Sequence, residues 1–160
     1  MMKELAEYLL HRISKALDNM EYILYSTHRK YPIFQRIGID QMPNYDVIFY
    51  EKPDGTEPAK EFLLSLDPKM RAKMLKTIDL LAENGNELRE PYSKYLEDSI
   101  FELRAKVGSD ISRVLYFFFV GKRVVLTNGF IKKTQKTPTG EKESAKQYRK
   151  DYMEREGEQT

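Results

Sequence analysis

Three apolar segments follow one another in the second half of the chain, and each reversal between them contains a glycine. Residues that are β-branched or aromatic favour strands, and glycine at a reversal favours a tight hairpin, so the pattern predicts an antiparallel meander. The middle segment contains VLYFFFV and is apolar on both faces, which is typical of a central strand covered on both sides. The segments span residues 99–107, 110–120 and 122–132, with Gly108-Ser109 and Gly121-Lys122 at the reversals.

The charged residues of the first hairpin limit how its two strands can pair. If its turn has two residues, Arg104 lies directly opposite Arg113, while Leu103 and Val114 pair on the other face. Like charges directly opposite one another are unfavourable, so we expect an acid such as Glu102, or an anionic ligand, to compensate for them. The alternative is that both arginines are simply solvated at the end of the hairpin.

The third segment runs into a basic stretch, residues 132–137 (KKTQKT), that holds three lysines and no acid. If the second turn also has two residues, Asn128 falls on the face of Arg113, and Lys132 follows on that face. Both would then lie beside the arginines around one concave patch, whose cations suit a phosphate backbone. A solvated stretch that leads into a helix is the alternative interpretation.

Helical patterns and a further strand flank the meander. The first two helices are expected to form an antiparallel pair on the sheet, with Met70 and Met74 as core residues of the second. The predicted elements are a strand at 45–51 (YDVIFYE), a helix capped by Thr56, a helix capped by Asp67 and stopped at Asn84-Gly85, a polar loop at 87–97 and a charged final helix after Thr137-Pro138.

The N-terminal part reads as a separate extension. Residues 1–30 have apolar positions at helical spacing with charged residues between them, which predicts an amphipathic helix. Its apolar stripe has to be buried on the rest of the chain or on a partner. We therefore divide the chain into an extension and linker at 1–42 and a domain at 43–160, with Met42 as a possible alternative start.

Composition excludes several classes of protein. The 160 residues include no Cys and two His, so the chain is expected to have no disulfide and no metal or other cofactor. No apolar run reaches membrane-spanning length and no signal peptide is recognisable, so we expect a cytoplasmic protein without a membrane partner. The net charge is only +2, so the distribution of charge is more informative than its sum.

Four segments together resemble a known family. They are VIFYEKPDGTEPAKEFLLSL, PYSKYL, IFELR, and RVLYFF followed by GFIKKTQKTP, in that order over about residues 45–155. The series is similar to the RelE/HigB-like toxins of type II toxin–antitoxin systems, in their phage Gp49-like branch. The resemblance implies an α+β, RelE-like fold with two helices on a small, mainly antiparallel sheet and a C-terminal helix.

The resemblance also implies a function. Such toxins are ribosome-dependent mRNA endoribonucleases, in which the RNA 2′-oxygen attacks the adjacent phosphorus without a metal. They are held in check by a helix-turn-helix, HigA-like antitoxin, so the implied partners are that antitoxin, the ribosome and mRNA. The resemblance assigns catalytic roles to Arg104, Arg113, Asn128 and Lys133, and RNA contacts to Tyr92, Lys94, Lys132, Gln135 and Lys136.

Asn128 departs from the family pattern, because many relatives carry His at that position. Imidazole is the natural acid–base group near neutral pH, whereas an amide can orient a phosphate oxygen but cannot transfer a proton. The base would then be a lysine of lowered pKa, a tyrosine, or a carboxylate such as Glu102. A non-catalytic binding module for an antitoxin or RNA is the alternative function, and a DNA-associated regulator that uses the basic final helix is a third.

Overall fold

A mixed five-stranded sheet with helices on both faces forms the part of the chain that the computed structural model describes, residues 44–157. The strands are β1 (Asp46–Phe49), β2 (Ser93–Glu97), β3 (Ile100–Val107), β4 (Asp110–Phe119) and β5 (Arg123–Ile131). The helices are α1 (Pro58–Ser65), α2 (Pro68–Asn84) and α3 (Thr139–Gly157), and a short 3-10 turn spans Gly85–Glu87.

The sheet has the order β1-β5-β4-β3-β2. Strand β1 pairs with β5 in parallel, and the remaining neighbours pair antiparallel. The predicted meander and the predicted α+β class are confirmed. The predicted amphipathic helix at 1–30, the linker and Met42 lie outside the described residues. None of the helices within 44–157 is long and apolar enough to cross a membrane.

Apolar side chains cover the sheet on both faces. One layer joins the sheet to α1 and α2 and contains Met70 and Met74, so the prediction that these methionines are core residues is confirmed. The other layer joins the sheet to α3 through Ala145 and Tyr152. Strand β4 lies in the middle of the sheet with Val114, Leu115, Tyr116 and Phe117 all buried, as its apolar sequence predicts.

Local signals set the ends of the helices. The side chain of Asp67 caps α2, because its Oδ1 accepts hydrogen bonds from the backbone N–H of Lys69 (3.0 Å) and Met70 (3.1 Å). The prediction that Thr56 caps α1 is wrong. The helix begins at Pro58 after Glu57, and the N–H of Thr56 instead donates to Asp54 Oδ1 at 2.9 Å within the preceding turn.

The first hairpin has the predicted register. Arg104 pairs with Arg113 and Leu103 with Val114, around a two-residue turn in which Gly108 has a φ of +60°. A positive φ at the first turn position favours glycine, because it has no Cβ to clash with the backbone. The two arginines therefore lie on one face of the sheet, the face that α3 covers further along.

The second hairpin reaches the predicted register by a different route. Its turn has three residues rather than two, since Phe119 pairs with Arg123. A bulge at Thr127 then restores the expected pairing of Leu115 with Asn128. The Thr127 hydroxyl donates to the Leu115 carbonyl at 3.0 Å and stabilises the bulge. Without the extra residue, Asn128 would face α1 and α2.

Residues 87–97 do not form the predicted loop throughout. Ser93–Glu97 is the edge strand β2, which is hydrogen-bonded to β3 on one side. A strand at the edge of a sheet buries only part of its side chains, so its apolar alternation is weak. The polar sequence SKYLE with a nearby proline therefore lacks the pattern that identified the other strands.

We predict that Asp67→Ala destabilises the fold by about 1 kcal/mol, because two backbone N–H groups at the start of α2 lose their acceptor. Urea denaturation followed by circular dichroism measures the change. Asp67→Asn is the matched control, since an asparagine side chain caps nearly as well. Equal losses in the two variants would contradict a capping role.

Candidate functional site

One buried carboxylate lies at the centre of the site. Glu102 on β3 is fully buried, and its Oε1 accepts a hydrogen bond from Arg104 Nε at 2.9 Å and contacts Arg113 Nη1. Its Oε2 accepts a hydrogen bond from the hydroxyl of Thr137. The acid thus lies between two arginines that face each other on adjacent strands and compensates part of their charge, as the sequence predicted.

The two arginines differ in their access to solvent. The side chain of Arg104 is 22% exposed, whereas that of Arg113 is 6% exposed. Burial lowers the pKa of Arg113, and the negative charge of Glu90 raises it. Both groups remain cationic, because a guanidinium is not deprotonated in a protein. Arg104 is therefore the arginine with the more open surface for an anionic ligand.

Lys132 adds a third cation to the same face. Its backbone N–H donates to the Ile111 carbonyl at 2.8 Å, which continues the pairing of β5 by one residue. Burial lowers the pKa of the Lys132 ammonium, and the positive charges of Arg113, Arg104 and Lys94 lower it further. These four residues form the cationic patch, and their mutual repulsion favours an anion bound among them.

Strand β2 brings Lys94 to this face, and Tyr92 directly precedes the strand. Lys94 pairs with Glu102, and because alternate residues of a strand share a face, it lies on the face of Arg104. The carbonyl of Tyr92 accepts a hydrogen bond from the Arg104 N–H at 2.8 Å, which holds Tyr92 beside Arg104. Tyr92 is 40% exposed, so its ring is available for stacking.

Asn128 is brought to the arginine face, but it is enclosed there. The residue is 6% exposed, and its Nδ2 donates to the carbonyl (3.2 Å) and to Oε2 (2.8 Å) of Glu141 at the start of α3. Two acceptors on one side fix the orientation of the amide. Its Oδ1 is buried with no partner among residues 44–157. The Asn128 donor is therefore directed at α3, and its predicted catalytic role stays a prediction.

The remaining predicted residues lie on the connection between β5 and α3. This basic connection, residues 132–138, exposes Lys133, Gln135 and Lys136 to solvent. The hydroxyl of Thr134 donates to the Lys136 carbonyl at 2.9 Å within it. The catalytic role of Lys133 and the RNA contacts of the other two also stay predictions.

Sequence reasoning missed two residues of the site. Glu90 Oε2 lies 3.4 Å from Arg104 Nη1 and is 62% exposed, so an accessible acid stands at the edge of the cationic patch. Thr137, which the sequence placed in the basic stretch and at a helix start but not beside an acid, contacts a carboxylate that lies 35 positions earlier in the sequence. A propensity or spacing pattern carries no signal for either contact, because both depend on the final packing.

A second concave region lies away from the patch. A cavity of about 360 Å³ is bordered by Arg123, Tyr152, Arg155 and Glu156. Arg123 begins β5 and Lys132 follows its end, so the two regions are roughly 30 Å apart at strand geometry. Arg123 is paired with Glu156 (3.3 Å) and Arg155 with Asp151 (2.7 Å), so the cavity offers an anion no unpaired arginine.

The cationic patch lies within the segment that a known family shares. A family model described as phage derived protein Gp49-like (DUF891) matches residues 61–150, more than half of the chain. The chain belongs to this Gp49-like family. The family is related to RelE-type toxins, so the resemblance drawn from the sequence is confirmed. The match contains β2 to β5 and all the predicted site residues. No curated protein matches the chain.

Family membership makes the chain a toxin-like module, and such a module implies an antitoxin partner in general. The described residues contain no group of three or more His, Cys, Asp or Glu side chains that could hold a metal ion. The cationic patch itself offers a ligand positive charge and hydrogen-bond donors on one face of the sheet.

We predict that Glu102→Gln destabilises the protein by about 3–5 kcal/mol, because it removes the acid that contacts the buried Arg113 and leaves Arg104 with only the exposed Glu90. The free energy of unfolding in urea measures the loss. Adding Arg113→Met to Glu102→Gln is expected to recover part of it, since the substitution removes one uncompensated charge.

Glu154→Gln is the control for this comparison. Glu154 lies 3.9 Å from Lys150, and both side chains are more than 60% exposed, so no change in stability is expected. A Glu102→Gln variant as stable as Glu154→Gln would show that the arginine pair does not depend on the carboxylate.

Proposed function

We propose that the chain is the toxin of a type II toxin–antitoxin system and cleaves mRNA on the ribosome. Its place in the Gp49-like family supports a toxin, and the cationic patch supports contact with a phosphodiester. The observation that carries the proposal is the convergence of Arg104, Arg113 and Lys132 from separate strands on one face. Glu102 and Glu90 offset part of this charge, and the positive charge that remains, to which Lys94 adds, favours an anionic partner.

The reaction we propose is an internal transfer at phosphorus. The RNA 2′-oxygen forms a bond to the adjacent phosphorus while the bond to the 5′-oxygen breaks, which leaves a 2′,3′-cyclic phosphate and a free 5′-hydroxyl. The proton of the 2′-hydroxyl passes to a base, and the departing 5′-oxygen gains a proton. Negative charge grows on the non-bridging oxygens, where preorganised guanidinium groups stabilise it most.

The two arginines would stabilise the phosphate in different ways, because they differ in their exposure to solvent. Arg104 is accessible and would contact the phosphate oxygens directly through its planar guanidinium. Arg113 lies deeper, contacts Glu102 and strengthens the positive field beneath the phosphate. Tyr92 would stack on a base, and Lys94, Gln135 and Lys136 would hold the RNA backbone or the ribosomal RNA.

Lys132 supports the role of base better than Glu102 does. Glu102 is fully buried and both of its oxygens already contact neighbouring side chains, so an RNA hydroxyl has no access to it. The pKa of Lys132 is lowered by burial and by three neighbouring cations, which increases its neutral fraction at a given pH. We assign the proton transfer from the 2′-hydroxyl to Lys132 and a supporting charge to Lys133.

A non-catalytic binding module is the second candidate. The observation that favours it is the enclosed amide of Asn128, whose donor is bonded to Glu141 rather than open to a ligand. In this case the same surface would bind RNA without cleaving it. A helix-turn-helix, HigA-like antitoxin is the proposed partner under either function.

We predict that expression of the chain arrests growth, and that Arg104→Ala reduces RNA cleavage by about 10²–10³-fold, as for the loss of one transition-state donor. Cleavage of mRNA by purified ribosomes with added protein measures the effect. Lys76→Ala is the control, because this exposed lysine lies on α2, away from the patch. Equal cleavage by the two variants would contradict the proposed site.

We predict that the cleavage rate rises with pH, because a base has to lose its proton before it can accept one from RNA. Because the pKa of Lys132 is lowered, its neutral form is reached at a lower pH than in an ordinary lysine, and the rise in rate occurs at a correspondingly lower pH. Lys132→Arg keeps the charge but does not titrate, and is expected to bind RNA while losing both activity and the pH-dependent rise. An unchanged pH profile in that variant would exclude Lys132 as the base.

A further inference from the structure

We propose that Thr137 is a positioning residue that fixes the basic connection against the arginine pair through Glu102. The predicted effect on RNA rests on the proposed function, whereas the contact between Thr137 and Glu102 is observed in the structure. The hydroxyl of Thr137 donates to Glu102 Oε2, while Oε1 of the same carboxylate contacts Arg104 and Arg113.

The basic connection is attached to the sheet near each of its ends. At its start, the Lys132 N–H donates to the Ile111 carbonyl on β4 at 2.8 Å. Near its end, Thr137 reaches Glu102 on β3. The four residues between these attachments, 133–136, are all exposed. Of these two attachments only the second passes through a side chain, and it lies closer along the chain to the exposed residues than the contact of Asn128 with Glu141 at the start of α3.

The chemistry of the contact requires a hydroxyl at position 137. An ionised carboxylate only accepts hydrogen bonds, so Thr137 has to be the donor. A hydrogen bond to a charged acceptor is about twice as strong as one between neutral groups, and Glu102 is shielded from water. Serine can replace the donor, whereas valine has the shape of threonine but cannot donate.

The attachment would affect RNA in a specific way. Held in place, Lys133 and Lys136 present their charges at a fixed distance from Arg104, so less freedom is lost when RNA binds. Released at Thr137, the basic connection has to be ordered again at each binding event. The apparent affinity for RNA, measured as KM, should then weaken more than the cleavage rate of the bound complex, measured as kcat.

The experiment compares Thr137→Val with Thr137→Ser in the full-length chain. We expect Thr137→Val to raise KM for RNA about tenfold with a small change in kcat, below the roughly 10²-fold cost of misplacing a reacting group. Thr137→Ser should restore the wild-type KM. Thr139→Val, a change at an exposed threonine two residues later, is the matched control. Equal KM values for the Val and Ser variants at position 137 would overturn the role in RNA binding.

Backbone ¹⁵N relaxation across residues 133–136 separates this proposal from the proposed function. Lower order parameters in Thr137→Val, but not in Thr137→Ser, are expected whether or not the protein cleaves RNA. If this difference is seen while the wild-type protein neither binds nor cleaves RNA, the proposed function is wrong and the attachment is supported. If the order parameters are the same in both variants, the attachment itself is wrong.

Discussion

The site depends on one ionic contact, the buried carboxylate of Glu102 between Arg104 and Arg113. Two arginines directly opposite each other on neighbouring strands repel, and a carboxylate removed from water is unfavourable on its own. The single carboxylate reduces the repulsion between the two guanidinium groups, and the guanidinium groups stabilise the buried carboxylate. The Thr137 hydroxyl donates to the other carboxylate oxygen. The result is a rigid set of cations on one face, and Arg104 stays partly open to solvent.

The register of the sheet makes this contact possible, and much of that register could be read from the sequence. Glycine at the first reversal fixed the pairing of Arg104 with Arg113, because a two-residue turn leaves one alignment. The pairing of the second hairpin was harder to predict. Its three-residue turn and the bulge at Thr127 cancel each other, so the predicted face of Asn128 is right although the predicted turn is wrong. No residue type at those positions signals such a compensation.

Other parts of the site could not be predicted from the sequence, and the reason is the same for each of them. The edge strand β2 buries few side chains, so its composition resembles that of a loop. The bond from Thr137 to Glu102 and the ion pair of Glu90 join segments that are far apart along the chain, and only the folded arrangement brings them together. The enclosure of Asn128 by Glu141 likewise follows from the way α3 packs on the sheet.

The family relationship indicates the kind of protein, and the geometry of the cationic patch indicates what chemistry it could perform. Membership of the Gp49-like family gives a toxin-like module, and the arginine pair offers a chemical reason why such a module would act on a phosphodiester. Because Asn128 stands where many relatives have histidine, Lys132 is the candidate base. Burial lowers its pKa, and the positive charges that would draw RNA to the patch lower it further. The charge that favours binding would then also favour proton transfer.

The most direct measurement of the central claim is an NMR titration of the arginine side chains. The probe is a short RNA with one 2′-deoxy nucleotide, which cannot be cleaved at that position. The account predicts that the Nε–Hε signals of Arg104 and Arg113 shift together with the Lys132 ammonium. Shifts confined to Arg123 and Arg155, at the cavity near the opposite end of β5, would contradict it.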